Sequence, residues 1–195
     1  LQYPSYHPER SEETFKPQPT AEFLKKLAPS FLSIDKQGRV IRLESFSKTL
    51  FPGLRLGYFI ANPVFTERLL RATEVETQDP AGLSQAFVIS LLKGWGIEGY
   101  LTWLQKLQFQ YQTRRNWLLE AFYAHFTVLP AEKSPLKKAQ GLVACVEGHS
   151  GLKPVFSFVD PEAGMFVWSK FYFSGVKRFL EIQSENVEDP EQTFS

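Results

Sequence analysis

Ser45-Phe46-Ser47-Lys48-Thr49-Leu50-Phe51-Pro52-Gly53-Leu54-Arg55-Leu56-Gly57-Tyr58 decides how this chain is read. One lysine sits among hydroxyls, and an arginine follows it on the far side of a Phe-Pro-Gly stretch. A lysine that forms an imine must shed its proton near neutral pH, and burial or a nearby cation lowers its pKa in that direction. Hydroxyls and a guanidinium suit a phosphate group. Ser-x-Ser-Lys alone is no more than a solvated turn, so the flanks carry the meaning. An alternating segment ends at the serines, and an apolar, strand-like segment from Leu54 to Ala61 carries Arg55.

An imine-forming amine beside a phosphate anchor is what pyridoxal phosphate (PLP) demands of a protein. The segment resembles the PLP-lysine signature of class I and II aminotransferases of fold type I: Ser-x-Ser-Lys, a short loop, then Gly-x-Arg-x-Gly. Ser45, Ser47, Lys48, Gly53, Arg55 and Gly57 fill every position of it.

Composition is compatible with this reading without selecting it. A chain of 195 residues with 43% hydrophobic and 15% aromatic residues can bury a core and is not a disordered tail. The formal charge of +1 has no long basic run behind it, so no nucleic-acid groove or anionic membrane surface is implied. No stretch has the ~20 apolar residues that a spanning helix needs, and Leu1-Gln2-Tyr3-Pro4 does not open a signal peptide. A soluble, cytoplasmic protein is expected. The chain begins without methionine and ends on a polar, acidic stretch, so both ends read as cut from something longer.

Other chemistries find little support. Cys145 lies among Leu142, Val143, Ala144 and Val146, which marks a small core residue rather than a nucleophile. His7, His125 and His149 show neither metal-ligand nor triad spacing, so no metal site is expected. The four tryptophans lack a basic stripe beside them and read as core.

Along the chain, residues 1–20 are a proline-broken loop with aromatic anchors. A short helix is expected over Ala21–Leu27, capped by Thr20. Ser30–Ile34 and Val40–Glu44 read as strands around an Asp35–Gly38 turn. Asn62-Pro63 opens an amphipathic helix to about Glu76. Ser84 caps a helix over Gln85–Lys93, Gly94-Trp95-Gly96 interrupts, and a long helix follows from Ile97 to about Phe126. Its buried face is expected to carry Tyr100, Leu104, Leu107, Tyr111, Leu118 and Phe122, with Lys106, Arg114, Arg115 and Glu120 in water. Strands are expected over Phe126–Pro130, Gly141–Glu147 and Gly164–Trp168, the last of them buried, Pro154–Asp160 is short and apolar, and a helix is expected over Val176–Ser184.

The whole pattern is similar to the aromatic amino acid and 2-aminoadipate (kynurenine) aminotransferase group. Ser84-Gln85, Trp95-Gly96, Glu98-Gly99-Tyr100, Tyr111, Arg114-Arg115 and Gly164-Met165-Phe166-Val167-Trp168 carry that likeness, and Leu1-Gln2-Tyr3 matches residues following an Asp-x-Pro-Tyr segment. The resemblance implies an α/β fold. Residues 1–107 would be the C-terminal part of the PLP-binding large domain, a mixed, mostly parallel sheet with helices. Residues 108–195 would be an incomplete small α+β domain, joined to it by the long helix.

It also implies roles: Lys48 as Schiff-base and proton-transfer residue, with Ser45, Ser47 and Arg55 holding the cofactor phosphate. The substrates would be an aromatic amino acid, kynurenine or 2-aminoadipate and a 2-oxo acid such as 2-oxoglutarate, in a homodimer. In the family, an aspartate upstream of Leu1 pairs with the pyridine nitrogen and an arginine beyond Ser195 clamps the substrate carboxylate. The chain alone is therefore expected to be inactive. The alternative is an aminotransferase-like effector-sensing module of a transcription regulator.

Overall fold

The computed structural model describes residues 14–173 and 176–184. His7, the Leu1-Gln2-Tyr3 likeness and most of the proline-broken loop lie outside the described residues. Two compact units divide the described residues, Phe15–Phe109 and the part from Gln110 onward.

The first unit holds helix α1 (Thr20–Lys25), strands β1 (Arg42–Ser45) and β2 (Gly57–Ile60), helix α2 (Pro63–Glu76) and the first part of helix α3 (Gly82–His125). Thr20 does not cap α1. Pro19 occupies that position, and the Thr20 hydroxyl donates to Glu98 instead. Ser30–Ile34 is not a strand either, because the Ser30 hydroxyl accepts from the Leu32 amide and closes a 3-10 turn over Phe31–Ser33. Such local side-chain bonds compete directly with a sheet ladder. The Asp35–Gly38 turn forms as expected, with the Asp35 carboxylate accepting from the Gln37 and Val40 amides. These bonds hold its pKa below the usual carboxylate range, the Val40 amide first among them.

α2 starts where Asn62-Pro63 indicates. The Asn62 side chain accepts from the Phe65 amide at 2.9 Å, and proline occupies the first turn, where no amide is needed. The same side chain donates to the Gly38 carbonyl, which ties the 35–38 turn to the head of α2. α3 is two helices joined at Gly96, whose φ of 62° and ψ of −172° leave helical geometry. A left-handed φ is open to glycine at little cost, so the break falls on that residue.

The second unit is an antiparallel sheet in the order β3-β4-β5-β6, built from Thr127–Pro130, Leu142–Gly148, Gly151–Phe158 and Ser169–Phe171, with helix α4 (Lys177–Ser184) following. Every described strand pair in the chain is antiparallel, β1 with β2 included. The mostly parallel sheet implied for the large domain is thus represented here by one antiparallel pair.

One core packs the C-terminal half of α3 on this sheet: Leu119, Ala144, Phe156 and Phe158 are buried, with Phe122 and Phe126 against them. The Phe122 ring meets Phe156 and Phe158 edge-on at 5.0 and 5.2 Å, arrangements contributing about 0.5–1.5 kcal/mol each beyond burial. Cys145 is buried with Val143 and Ala131, and burial raises its thiol pKa, which fits a core residue.

Three expectations for this unit need correction. Leu119, 1% exposed, is the buried leucine of α3, while Leu118 stands 40% exposed. Arg115 is 6% exposed instead of facing water. Its guanidinium donates to the Pro161 carbonyl at 2.9 Å and the Asn116 side chain at 2.8 Å, and it lies 3.5 Å from the Asp160 carboxylate. Gly164–Trp168 is not a buried strand. β5 ends at Phe158, opposite Ser169, so no neighbour remains for the residues before Ser169, and Phe166 and Trp168 are exposed.

Candidate active site

The lysine motif is the loop of the β1–β2 hairpin. Ser45 pairs with Gly57 at the end of the ladder, and the Phe46 amide donates to the Leu56 carbonyl, so residues 46–56 connect two adjacent strands. A Cβ on Gly57 would lie 2.7 Å from the Glu44 carbonyl oxygen, so a side chain there would push the hairpin open. The chain turns at once after Phe46: the Leu50 amide bonds back to the Phe46 carbonyl at 2.8 Å, with Ser47, Lys48 and Thr49 on the curve.

The two serines are brought together. The Ser45 hydroxyl lies 3.0 Å from that of Ser47 and accepts from the Ser47 amide at 3.1 Å. Two hydroxyls converging at the end of a strand can rotate outward to donate to an anion. Lys48 is exposed on the same turn. Arg55 is not on β2. It ends a 3-10 turn over Pro52–Leu54 with φ 48° and ψ 39°, its guanidinium directed at the Pro52 carbonyl at 3.4 Å. A left-handed non-glycine residue costs on the order of 1 kcal/mol, and such outliers gather at functional sites.

The loop is pinned from α3. The Trp103 indole N–H donates to the Thr49 carbonyl at 2.6 Å, one residue past Lys48. Phe51 inserts its ring beside Phe87 and Trp103 at 5.9 and 6.4 Å, and Trp95 packs tilted against Trp103 at 5.4 Å. Leu50 and Val88 are buried nearby. Sequence reasoning missed Trp103 because it lies 54 residues from its partner, and no local pattern announces a pairing that distant. Trp103→Phe keeps the ring and removes the donor, an effect of about 1 kcal/mol, so the amides of Thr49 and Leu50 should exchange with solvent about fivefold faster. Unchanged exchange would show that the indole does not hold the turn. The reading of all four tryptophans as core holds only for the half-buried Trp95 and Trp103, since Trp117 and Trp168 are exposed.

Beside the loop opens an apolar cleft of about 730 Å³, lined by Phe46, Leu56, Tyr58, Val88, Ile89 and Ile97 among others. Tyr58 packs on Phe46 at 5.3 Å. Burial, then the Glu44 carboxylate and Tyr100, raise the Tyr58 pKa, so it stays a neutral donor near pH 7.

No family model matches the chain. It is 41% identical over 170 residues to an aromatic amino acid aminotransferase of Schizosaccharomyces pombe, a match covering 86% of this chain and 30% of that protein. It is 35% identical over 149 residues to the mitochondrial kynurenine/alpha-aminoadipate aminotransferase of Bos taurus, covering 76% and 29% respectively. A crystal structure of an aminotransferase from Candida albicans superposes with a TM-score of 0.69 at 34% identity, covering 94% of this chain and 33% of that one. The chain spans about a third of the length of the relatives it matches. Over most of its own length, therefore, it is homologous in sequence and α/β fold to part of the aromatic amino acid and kynurenine/aminoadipate aminotransferases.

Proposed function

We propose that the complete protein is a PLP-dependent aminotransferase, moving the amino group of an aromatic amino acid, kynurenine or 2-aminoadipate to a 2-oxo acid such as 2-oxoglutarate. The observation that carries this reading is the hairpin loop, where a lysine and two converging hydroxyls share one turn and an arginine ends the next, in a chain homologous to such enzymes. The donor set fits the cofactor: an amine for its aldehyde, and hydroxyls and a guanidinium for its phosphate. When bound, PLP supplies an electron sink for the carbon that loses its proton.

This chain's residues would do the rest. Lys48 Nζ, uncharged at that moment, accepts the α-proton of the amino donor and returns it, acting as base and then acid. Ser45 and Ser47 donate to phosphate oxygens, and Arg55 neutralises their charge. Residues 1–107 would then belong to the cofactor-binding large domain and 108–195 to the small domain. Nothing in the comparisons supports the transcription-regulator alternative.

The strained Arg55 backbone provides a test. Arg55→Gly relieves the left-handed φ, so stability should hold or rise by up to ~1 kcal/mol. Loss of the guanidinium should weaken PLP retention by roughly 10- to 100-fold, measured by dialysis of the complete protein. Equal retention by the variant would remove Arg55 from the site.

A homodimer also belongs to this proposal. The open cleft and the exposed Ile97, Leu83 and Val75 are apolar surface for the rest of the complete protein or a second copy to cover. Sedimentation equilibrium giving a monomer mass for the complete protein would overturn it. No helix among the described residues is long and apolar enough to cross a membrane. A cytoplasmic location is proposed, and cell fractionation checks it.

A further inference from the structure

The sheet of the second unit carries a second cavity, of about 730 Å³, away from the lysine loop in sequence and lined only by residues 135–172. Its floor is the face of β5 and β6 on which Ser157 stands opposite Lys170 in the ladder. Trp168, Lys170 and Tyr172 alternate along one side, and the loop carrying Lys137 and Lys138 forms the other. That loop is built: buried Ser134 donates to the Ala131 carbonyl at 2.9 Å and accepts from the Leu136 amide at 3.0 Å. Ser157, itself buried, shares a hydrogen bond of 2.8 Å with the Tyr172 hydroxyl.

Three lysines thus line one cavity, no aspartate or glutamate does, and none of the three makes an ion pair among the described residues. A single carboxylate would leave most of that charge uncompensated, whereas a phosphate dianion engages several ammonium groups. At the rim the Trp168 indole is 90% exposed, an open ring face on which a planar group can stack. The volume lies in the range of small-molecule sites. We infer that this cavity binds a phosphate carried on a planar ring, chemistry shared by a mononucleotide and a vitamin B6 phosphate ester.

The test is calorimetric titration of the complete protein, its lysine loop first blocked by borohydride reduction with PLP and the excess dialysed away, with AMP, with pyridoxine 5′-phosphate and with inorganic phosphate. At least one ring phosphate should bind about tenfold tighter than phosphate alone, and Trp168→Ala should erase that margin. Whichever ester binds tighter identifies the source. Replacing Lys137, Lys138 and Lys170 together by Gln should weaken binding by about a hundredfold, while Lys153→Gln, outside the cavity, leaves it unchanged. Trp168 is exposed, so its replacement leaves the fold intact by circular dichroism. No binding of either ester at millimolar concentration, no margin over phosphate, or equal loss in Lys153→Gln would each overturn the inference. Transaminase activity is not read at any point, so this result and the proposed function stand or fall separately.

Discussion

Lys48→Ala should leave the complete protein folded, unable to retain PLP covalently, and slower in amino transfer by at least about 10³-fold. The fold survives because Lys48 is exposed on a turn held by backbone bonds and by the Trp103 indole, none of which uses the lysine stem. Surface changes of this kind usually move stability by less than ~0.5 kcal/mol. The chemistry does not survive, since no other amine of the motif is present to attack an aldehyde and no other base is positioned by the same turn. Borohydride reduction followed by peptide mapping reads the outcome. A label in the unaltered protein that maps to a lysine other than Lys48, or amino transfer by the variant within about tenfold of the unaltered protein, would remove Lys48 from the reaction. Lys48→Arg separates charge from nucleophilicity: it keeps the cation and should fail equally.

The second large effect is on stability. Gly141→Ala should destabilise the protein by about 3 kcal/mol, combining ~1 kcal/mol for a left-handed residue with ~2 kcal/mol for overpacking. Gly141 has φ of 73°, and a Cβ there would sit 2.4 Å from the Phe158 carbonyl oxygen and 3.1 Å from the Val159 backbone. Neither neighbour yields easily. Phe158 is buried in the aromatic core, and the Gly141 carbonyl accepts from the Ala131 amide, so the residue locks the start of β4 to both adjoining segments. Urea unfolding measures the change, and a loss under ~1 kcal/mol would mean that β4 and β5 part more readily than their packing indicates.

Several elements around the lysine loop were legible because each obeys a local rule. The Asn62-Pro63 helix start and the break within Gly94-Trp95-Gly96 follow from capping and glycine geometry, whereas the antiparallel pairing of the strands on either side of the loop was not foreseen. What was hidden depends on partners far along the chain. Arg115 reads as a solvated charge until the Pro161 carbonyl and Asp160 are seen beside it. Gln105 is buried likewise, its amide taking the Gln18 N–H and giving to the Gln18 carbonyl. The buried stripe of α3 therefore runs through Leu101, Gln105, Arg115 and Leu119, two of them polar, and a search for apolar periodicity lands one residue away. The runs Ser30–Ile34 and Gly164–Trp168 failed as strands for the complementary reason, that a strand exists only where a ladder partner does.

The neighbouring, mutually tilted indoles of Trp95 and Trp103 give the lysine turn an optical label of its own. Two coupled transition dipoles at that separation produce a paired positive and negative band in circular dichroism, which the exposed Trp117 and Trp168 do not share. Any event that shifts the turn alters the couplet, so its movements can be followed in real time without attaching a dye.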